Sequence, residues 1–340
     1  MAVRCSARLR ADETTVSATQ QLRIPSFDDV RRAAERIRPW AHLTPVLTCA
    51  GLDRMAGARL HFKCENLQKV GAFKFRGATN AVLALDDEAA RRGVASHSSG
   101  NHAAALALAA RNRGVPATIV MPRTAPAVKK AAVAGYGAEI VYCEPTLAAR
   151  EATLAEVVAR TGATVVHPYN DPLVIAGQGT AALELLEQVP DLAVVMTPVG
   201  GGGLTSGTAL TVAVLAPAAR VIAAEPAAAD DAYRSLREDR IVPSLDPQTV
   251  CDGLRTSLGE LTFAIIRRHV AAILTVGEAE IITAMRLLWE RTKLLVEPSS
   301  AVPLAALLAH PDRFAGLRVG IIVSGGNVDL DRLPWQATGR

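Results

Sequence analysis

Short apolar runs alternate with longer Ala- and Leu-rich stretches over most of the chain. Val94-Ala95-Ser96 leads into a glycine-containing turn and an Ala-rich segment, about Asn101 to Asn112, that reads as a helix. Ala117-Thr118-Ile119-Val120-Met121 has the length of a buried strand, Ala127 to Ala134 reads as helix, and Glu139-Ile140-Val141-Tyr142 as strand. Arg150 to Arg160 then reads as helix, followed by Ala163-Thr164-Val165-Val166. Strands spaced by helices of about 10–15 residues imply parallel pairing through crossover helices. The pattern continues through Leu192–Met196, Arg220–Ala224 and Val319–Val323, without clean alternation, as expected when helices cover both faces of a sheet. There is no internal repeat or low-complexity linker. The chain ends soon after its last predicted strand, so no C-terminal regulatory domain is expected.

Composition narrows the class. A chain of 340 residues can bury a sizeable core, as one large domain or two lobes. Half the residues are hydrophobic and 21% charged, the profile of a globular protein, while 4% aromatics favours helix-on-sheet layers over an aromatic-rich sandwich. The net charge of +4 comes from dispersed basic residues, which argues against a nucleic-acid partner. Cys5, Cys49, Cys64, Cys143 and Cys251 are odd in number and widely spaced, so a reducing cytosol fits better than a disulfide framework or zinc site. No apolar run reaches transmembrane length, and the first twenty residues lack the apolar core of a signal peptide. A cytoplasmic protein with a disordered tail over residues 1–22 is the expectation.

Four strings carry candidate chemistry. Lys74 sits between Phe73 and Phe75, after Gly71-Ala72, and a lysine becomes a nucleophile when desolvation lowers its pKa. Read alone it is more often a solvated surface lysine. Gly200-Gly201-Gly202-Gly203, between a strand and a helix starting near Leu204, frees backbone N–H groups for a phosphate. The alternatives are a flexible turn or a dinucleotide site, the latter disfavoured because the run is not GxGxxG and lies late in the chain. His97-Ser98-Ser99-Gly100-Asn101-His102 fits an anion site at a helix start, or simply a helix cap. Ile321-Ile322-Val323-Ser324-Gly325-Gly326-Asn327 is a strand ending in a polar turn.

Together these strings resemble the fold-type II pyridoxal-phosphate enzymes, specifically the serine/threonine dehydratase and serine racemase group. The lysine segment of that group reads ENxQxxGSFKxRGA, against ENLQKVGAFKFRGA here, with Ala72 where most members carry Ser. The GAFKFRGA version resembles the branch of microbial serine racemases and threo-3-hydroxyaspartate dehydratases. The resemblance, from about Pro25 to Asp331, implies two parallel-sheet α/β lobes, tryptophan synthase β-like, with the cofactor between them. The large lobe is expected over 23–92 and 163–331, the small lobe over 93–162, and a C-terminal tail over 332–340.

The resemblance also implies roles. Lys74 would hold pyridoxal phosphate as a Schiff base beside Phe73, and Gly200, Gly201, Gly202, Gly203 and Leu204 would hold its phosphate. Ser324 would face the pyridine nitrogen; a hydroxyl cannot keep that nitrogen protonated as a carboxylate would, which suits β-elimination. Ser98, Ser99, Gly100, Asn101 and His102 would grip the substrate α-carboxylate, with Asn101 on the cofactor's phenolic oxygen. Ser99 matches the serine that faces the lysine across the cofactor in serine racemases, which makes racemisation chemically available. His167-Pro168-Tyr169-Asn170-Asp171-Pro172 and Ala176–Thr180 match an architectural segment, and Tyr136 and Glu297 match positions near the cofactor.

Two further expectations concern charge. Glu225 and Asp231, six apart, are ordinarily solvated acids, yet with the Ala229 carbonyl they resemble the divalent-cation site of serine racemases, for Mg²⁺ or else Ca²⁺ or Mn²⁺. Arg150 matches an arginine near the substrate's carboxylate end, and Arg255, in Asp252–Thr256, matches a segment of hydroxyaspartate-type members; either fits a second substrate carboxylate, or the surface. The implied reaction is α,β-elimination from L-threonine, L-serine or threo-3-hydroxyaspartate to a 2-oxo acid and ammonia, by a homodimer, with an amino-acid racemase as the alternative.

Overall fold

The computed structural model describes residues 23–336. The disordered tail expected over 1–22 lies outside the described residues. Ten strands form two sheets: β1 (Val46–Leu47), β2 (Arg59–Cys64), β3 (Val94–His97), β4 (Ala117–Pro122), β5 (Glu139–Cys143), β6 (Thr164–Val165), β7 (Val194–Pro198), β8 (Arg220–Pro226), β9 (Ala272–Val276) and β10 (Arg318–Val323). The larger sheet has the order β1-β2-β10-β7-β8-β9 and the smaller β5-β4-β3-β6. All pairings are parallel except β1 with β2.

The smaller sheet runs past residue 162, because Thr164 and Val165 pair with Val94 and Ala95. Its core also recruits Phe75, Ala78, Ala81 and Val82 from the helix Lys74–Leu83. At the other end, within the stretch expected as the C-terminal tail, the Trp335 ring lies edge-on to Trp289 at 5.2 Å.

The lysine helix is fixed against the helix Pro172–Gln188 by close backbone approach. A Cβ on Gly177 would lie 2.5 Å from the Gly77 Cα, so both positions need glycine. The partner helix starts where the sequence dictates, with Pro172 in its first turn and the Asp171 carboxylate accepting from the Leu173 and Val174 amides at 2.7 and 3.0 Å. The chain segment just before that start, His167 to Asn170, is thereby placed against the lysine.

Candidate active site

Lys74 opens its helix after a constrained turn. Val70 has φ 57° and Gly71 φ 68°, and for a β-branched residue the left-handed region is costly. The turn is held by Asn327, whose Nδ2 donates to the Val70 carbonyl at 2.7 Å, and by the Phe73 amide donating to the Ser324 carbonyl at 3.0 Å. Lys74 Nζ donates to the Pro168 carbonyl at 2.8 Å and lies 5.1 Å from the Phe73 ring centre. Burial draws this amine down from 10.5 to about 8, against the opposing pull of Glu297. Roughly a tenth of it is therefore uncharged at pH 7.

The glycine turn meets the same segment. A Cβ on Gly201 would lie 2.3 Å from the Tyr169 ring, and one on Gly203 3.0 Å from the Tyr169 Cβ. Gly202 has φ 88°, and a Cβ there would press Ile266, Leu258 and Thr262 at 2.9 Å. All four glycines are buried, yet the amides of Gly200, Gly201 and Gly202 donate to no carbonyl or side chain among the described residues. Buried donors without an acceptor, at the start of the helix Gly203–Leu215, fit an anion such as a phosphate. Leu204 is buried in the first turn of that helix.

The Ser98–Gly100 loop precedes the helix Asn101–Arg113. The Ser99 hydroxyl is half-buried and has no hydrogen-bond partner among the described residues. Asn101 Nδ2 donates to both Glu297 oxygens at 3.1 Å, and its Oδ1 accepts from Asn327 Nδ2 at 2.9 Å. Burial, reinforced by Asp252, pushes the Glu297 carboxyl up to about 7. His102 turns inward: it is buried, its Nε2 lies 3.1 Å from the Val166 carbonyl, and its Nδ1 has no partner. Burial and then Lys74 drive His102 down to about 3, so its ring is neutral.

Ser324 Oγ pairs with Ser300 Oγ at 2.9 Å, directly after β10. Arg150 has a buried Nε with no partner among the described residues and depresses His97 electrostatically, after burial and against Glu151. Arg255 is exposed and donates to the Thr249 carbonyl instead. Tyr136 lines a groove between the helices Asn101–Arg113 and Ala127–Gly135. His97 and His167, from two separate strings, have rings 6.2 Å apart, and His167 meets Tyr169 edge-on at 4.6 Å; no local pattern pairs the two histidines. Burial and neighbouring His97 hold His167 down at about 4.

Glu225 and Asp231 are both buried. Glu225 accepts from the Ala232 and Tyr233 amides at 3.3 and 2.5 Å, while among the described residues no donor lies within hydrogen-bond distance of either Asp231 oxygen, although the nearby Ser244 hydroxyl draws the Asp231 pKa down. Burial is the main cause pushing Glu225 up to about 9 and Asp231 to about 6. Two desolvated carboxylates beside the buried Ala229 suit a hard cation. The pair neighbours the glycine turn's support, since Asp231 is second to burial in raising the Tyr169 phenol to about 12.

The site's residues fit pyridoxal phosphate: a desolvated amine, unpaired buried amides for the phosphate, and a hydroxyl at a strand end. Residues 37–325 match the family described as pyridoxal-phosphate dependent enzyme. The chain is 56% identical over 313 residues to a β-hydroxyaspartate dehydratase of Paracoccus denitrificans, covering 92% of this chain and 99% of that protein. It is 47% identical to the L-threo-3-hydroxyaspartate ammonia-lyase of Saccharomyces cerevisiae, covering 93% of this chain and 98% of that one. The crystal structure of serine racemase from Dictyostelium discoideum superposes with a TM-score of 0.87 at 48% identity, covering 91% of this chain and all of that one. The chain therefore belongs to the fold-type II pyridoxal-phosphate dependent enzymes.

Proposed function

We propose that this protein is an ammonia-lyase acting on a small β-hydroxy amino acid, with threo-3-hydroxyaspartate the favoured substrate and L-serine and L-threonine as others. The observation that carries the reading is the convergence of the Lys74 amine and the glycine turn on Pro168 and Tyr169. Names carried by close relatives, a β-hydroxyaspartate dehydratase and a hydroxyaspartate ammonia-lyase, support the substrate class.

Lys74 would carry the cofactor, with Phe73 flanking it, Gly200 to Leu204 on the phosphate, Ser324 toward the ring nitrogen and Asn101 beside the ring oxygen. When bound, pyridoxal phosphate supplies the electron sink that acidifies the substrate α-proton. Lys74 Nζ, its pKa drawn down by burial, is the base that takes this proton. The helix start at Ser98–Asn101 holds the α-carboxylate, and His102 braces that loop through Val166. The unpaired Arg150 guanidinium is matched to a second carboxylate. Loss of the β-hydroxyl as water leaves an enamine that hydrolyses to a 2-oxo acid and ammonia. Lys74→Ala should abolish ammonia release and the visible absorbance of the bound cofactor, and retained turnover would refute the assignment.

A racemase is the second reading, favoured by the unpartnered Ser99 hydroxyl, which can return a proton on the face opposite Lys74. Chiral analysis of recovered serine separates the two. Glu225, the Ala229 carbonyl and Asp231 are proposed to bind Mg²⁺, Ca²⁺ or Mn²⁺, on the strength of the orphaned Asp231 oxygens. Adding Mg²⁺ should then raise the melting temperature, and Asp231→Asn should remove that rise. A cytoplasmic homodimer completes the proposal; among the described residues no helix is long and apolar enough to cross a membrane. Light scattering on the purified protein reads the oligomeric state.

A further inference from the structure

A groove of about 460 Å³ runs along β9, the end strand of the larger sheet, and is lined by Tyr233, Leu236, Arg237, Thr275, His310 and Arg313 among others. Its volume is that of a small-molecule site. Two arginines and a histidine line it and no acid does.

Three acids in and flanking the helix Asp231–Glu238 are already matched, while Asp312, next to Arg313 in the chain, has no ion pair among the described residues. Asp230 pairs with Arg234, Glu238 with Arg240, and Asp239 with Arg267. Arg237 is left with the Tyr233 side chain alone, its Nη1 3.3 Å from the hydroxyl and its guanidinium 5.4 Å from the ring centre. The side chains of Arg313 and His310 have no hydrogen-bond or ion-pair partner among the described residues. Three basic groups, none with an acid partner among the described residues, converge on one concave surface.

We propose that this groove binds a small organic polyanion, its charged groups taken by the Arg237 and Arg313 forks and its carbon skeleton laid on Tyr233 and Leu236. Phosphate esters and polycarboxylates share this chemistry. The groove adjoins the acidic pair, because Thr275 pairs in register with Glu225 and the Tyr233 amide donates to the Glu225 carboxylate. An occupant would thus press on the strand that carries Glu225.

The test is calorimetric titration of the holoenzyme, its phosphate site filled by cofactor, with inorganic pyrophosphate and in a second arm with citrate, both without divalent cations. At least one should bind, and Arg237→Ala and Arg313→Ala should each weaken that binding about tenfold or more, the loss of one charge-assisted hydrogen bond. Both arginines are exposed and unpaired with acids, so these variants keep the fold and basal turnover. The arm that binds identifies the anion class. Binding that survives both substitutions would place the anion elsewhere and overturn the proposal, as would the absence of binding in both arms.

Discussion

Lys74 and Arg76 stand two residues apart on one helix and are treated in opposite ways. Residues at that spacing point to different sides of a helix. Arg76 is fully buried, with Nε and Nη2 donating to Glu65 at 2.7 and 2.8 Å and Nη1 and Nη2 donating to Glu184 at 2.6 and 2.7 Å. Lys63 completes the cluster, 2.6 Å from Glu184 and 2.7 Å from the Thr44 carbonyl. Two cations face two anions, and although burial alone pulls Arg76 down, Glu65 and Glu184 raise its pKa above the ordinary value. Lys74 meets a single carbonyl and is drawn down. Charge matching marks the first as architecture. Its lack marks the second as a reactive site, and the glycine amides, Arg150 and Asp231 share that condition.

The contrast can be broken by the same substitution at both positions. Arg76→Met leaves buried Glu65 and half-buried Glu184 with Lys63 as their remaining cation, and should cost about 3–5 kcal/mol in urea unfolding. A loss near zero would mean the cluster is not the scaffold described. Lys74→Met removes a desolvated amine that Glu297 only partly offsets and that has no ion-pair partner among the described residues, and should leave stability equal or higher. The difference between wild type and Lys74→Met should also depend on pH. In the cofactor-free protein, between about 8 and 10.5, the unfolded chain holds a proton that folded Lys74 has released. Wild-type stability therefore rises relative to the variant across that window, by at most ~1.4 kcal/mol per pH unit. A flat difference would show that the amine is not desolvated.

How much of this was legible in the sequence follows from the same physics. Strands buried on both faces, such as β4, β7, β8 and β10, stand out as apolar runs. β2 does not, because His61 and Lys63 interrupt it and Lys63 is spent on the ion cluster. The edge strands β1 and β9 do not stand out either. Lys74, the glycine turn, Ser324 and the Ser98–His102 loop are each contiguous strings, so local sequence identifies them. Asn101 with Glu297 and Asn327, or Arg76 with Glu184, are partners joined only by folding, across 196, 226 and 108 positions. No periodicity encodes such pairings.

The smallest effect is expected where charges are matched but wet. Lys129, on the small-lobe helix Ala127–Gly135, pairs with Asp252, in the turn Asp252–Leu254 of the large lobe, and their side chains are 26% and 51% exposed. In high dielectric such a pair contributes about 0–1 kcal/mol, and less in about 1 M salt. Lys129→Ala should therefore barely change the urea midpoint. Its consequence lies inward, because Asp252 raises the Glu297 pKa and Lys129 lowers it. Lys129→Ala should move the Glu297 carboxyl above about 7 and Asp252→Asn should move it below, read by carboxyl NMR titration. Opposite shifts with little stability change would show that a matched pair builds structure only when it is dry. A loss beyond about 2 kcal/mol in Lys129→Ala would instead make the bridge between the lobes a second Arg76-type cluster, and exposure would no longer separate the two.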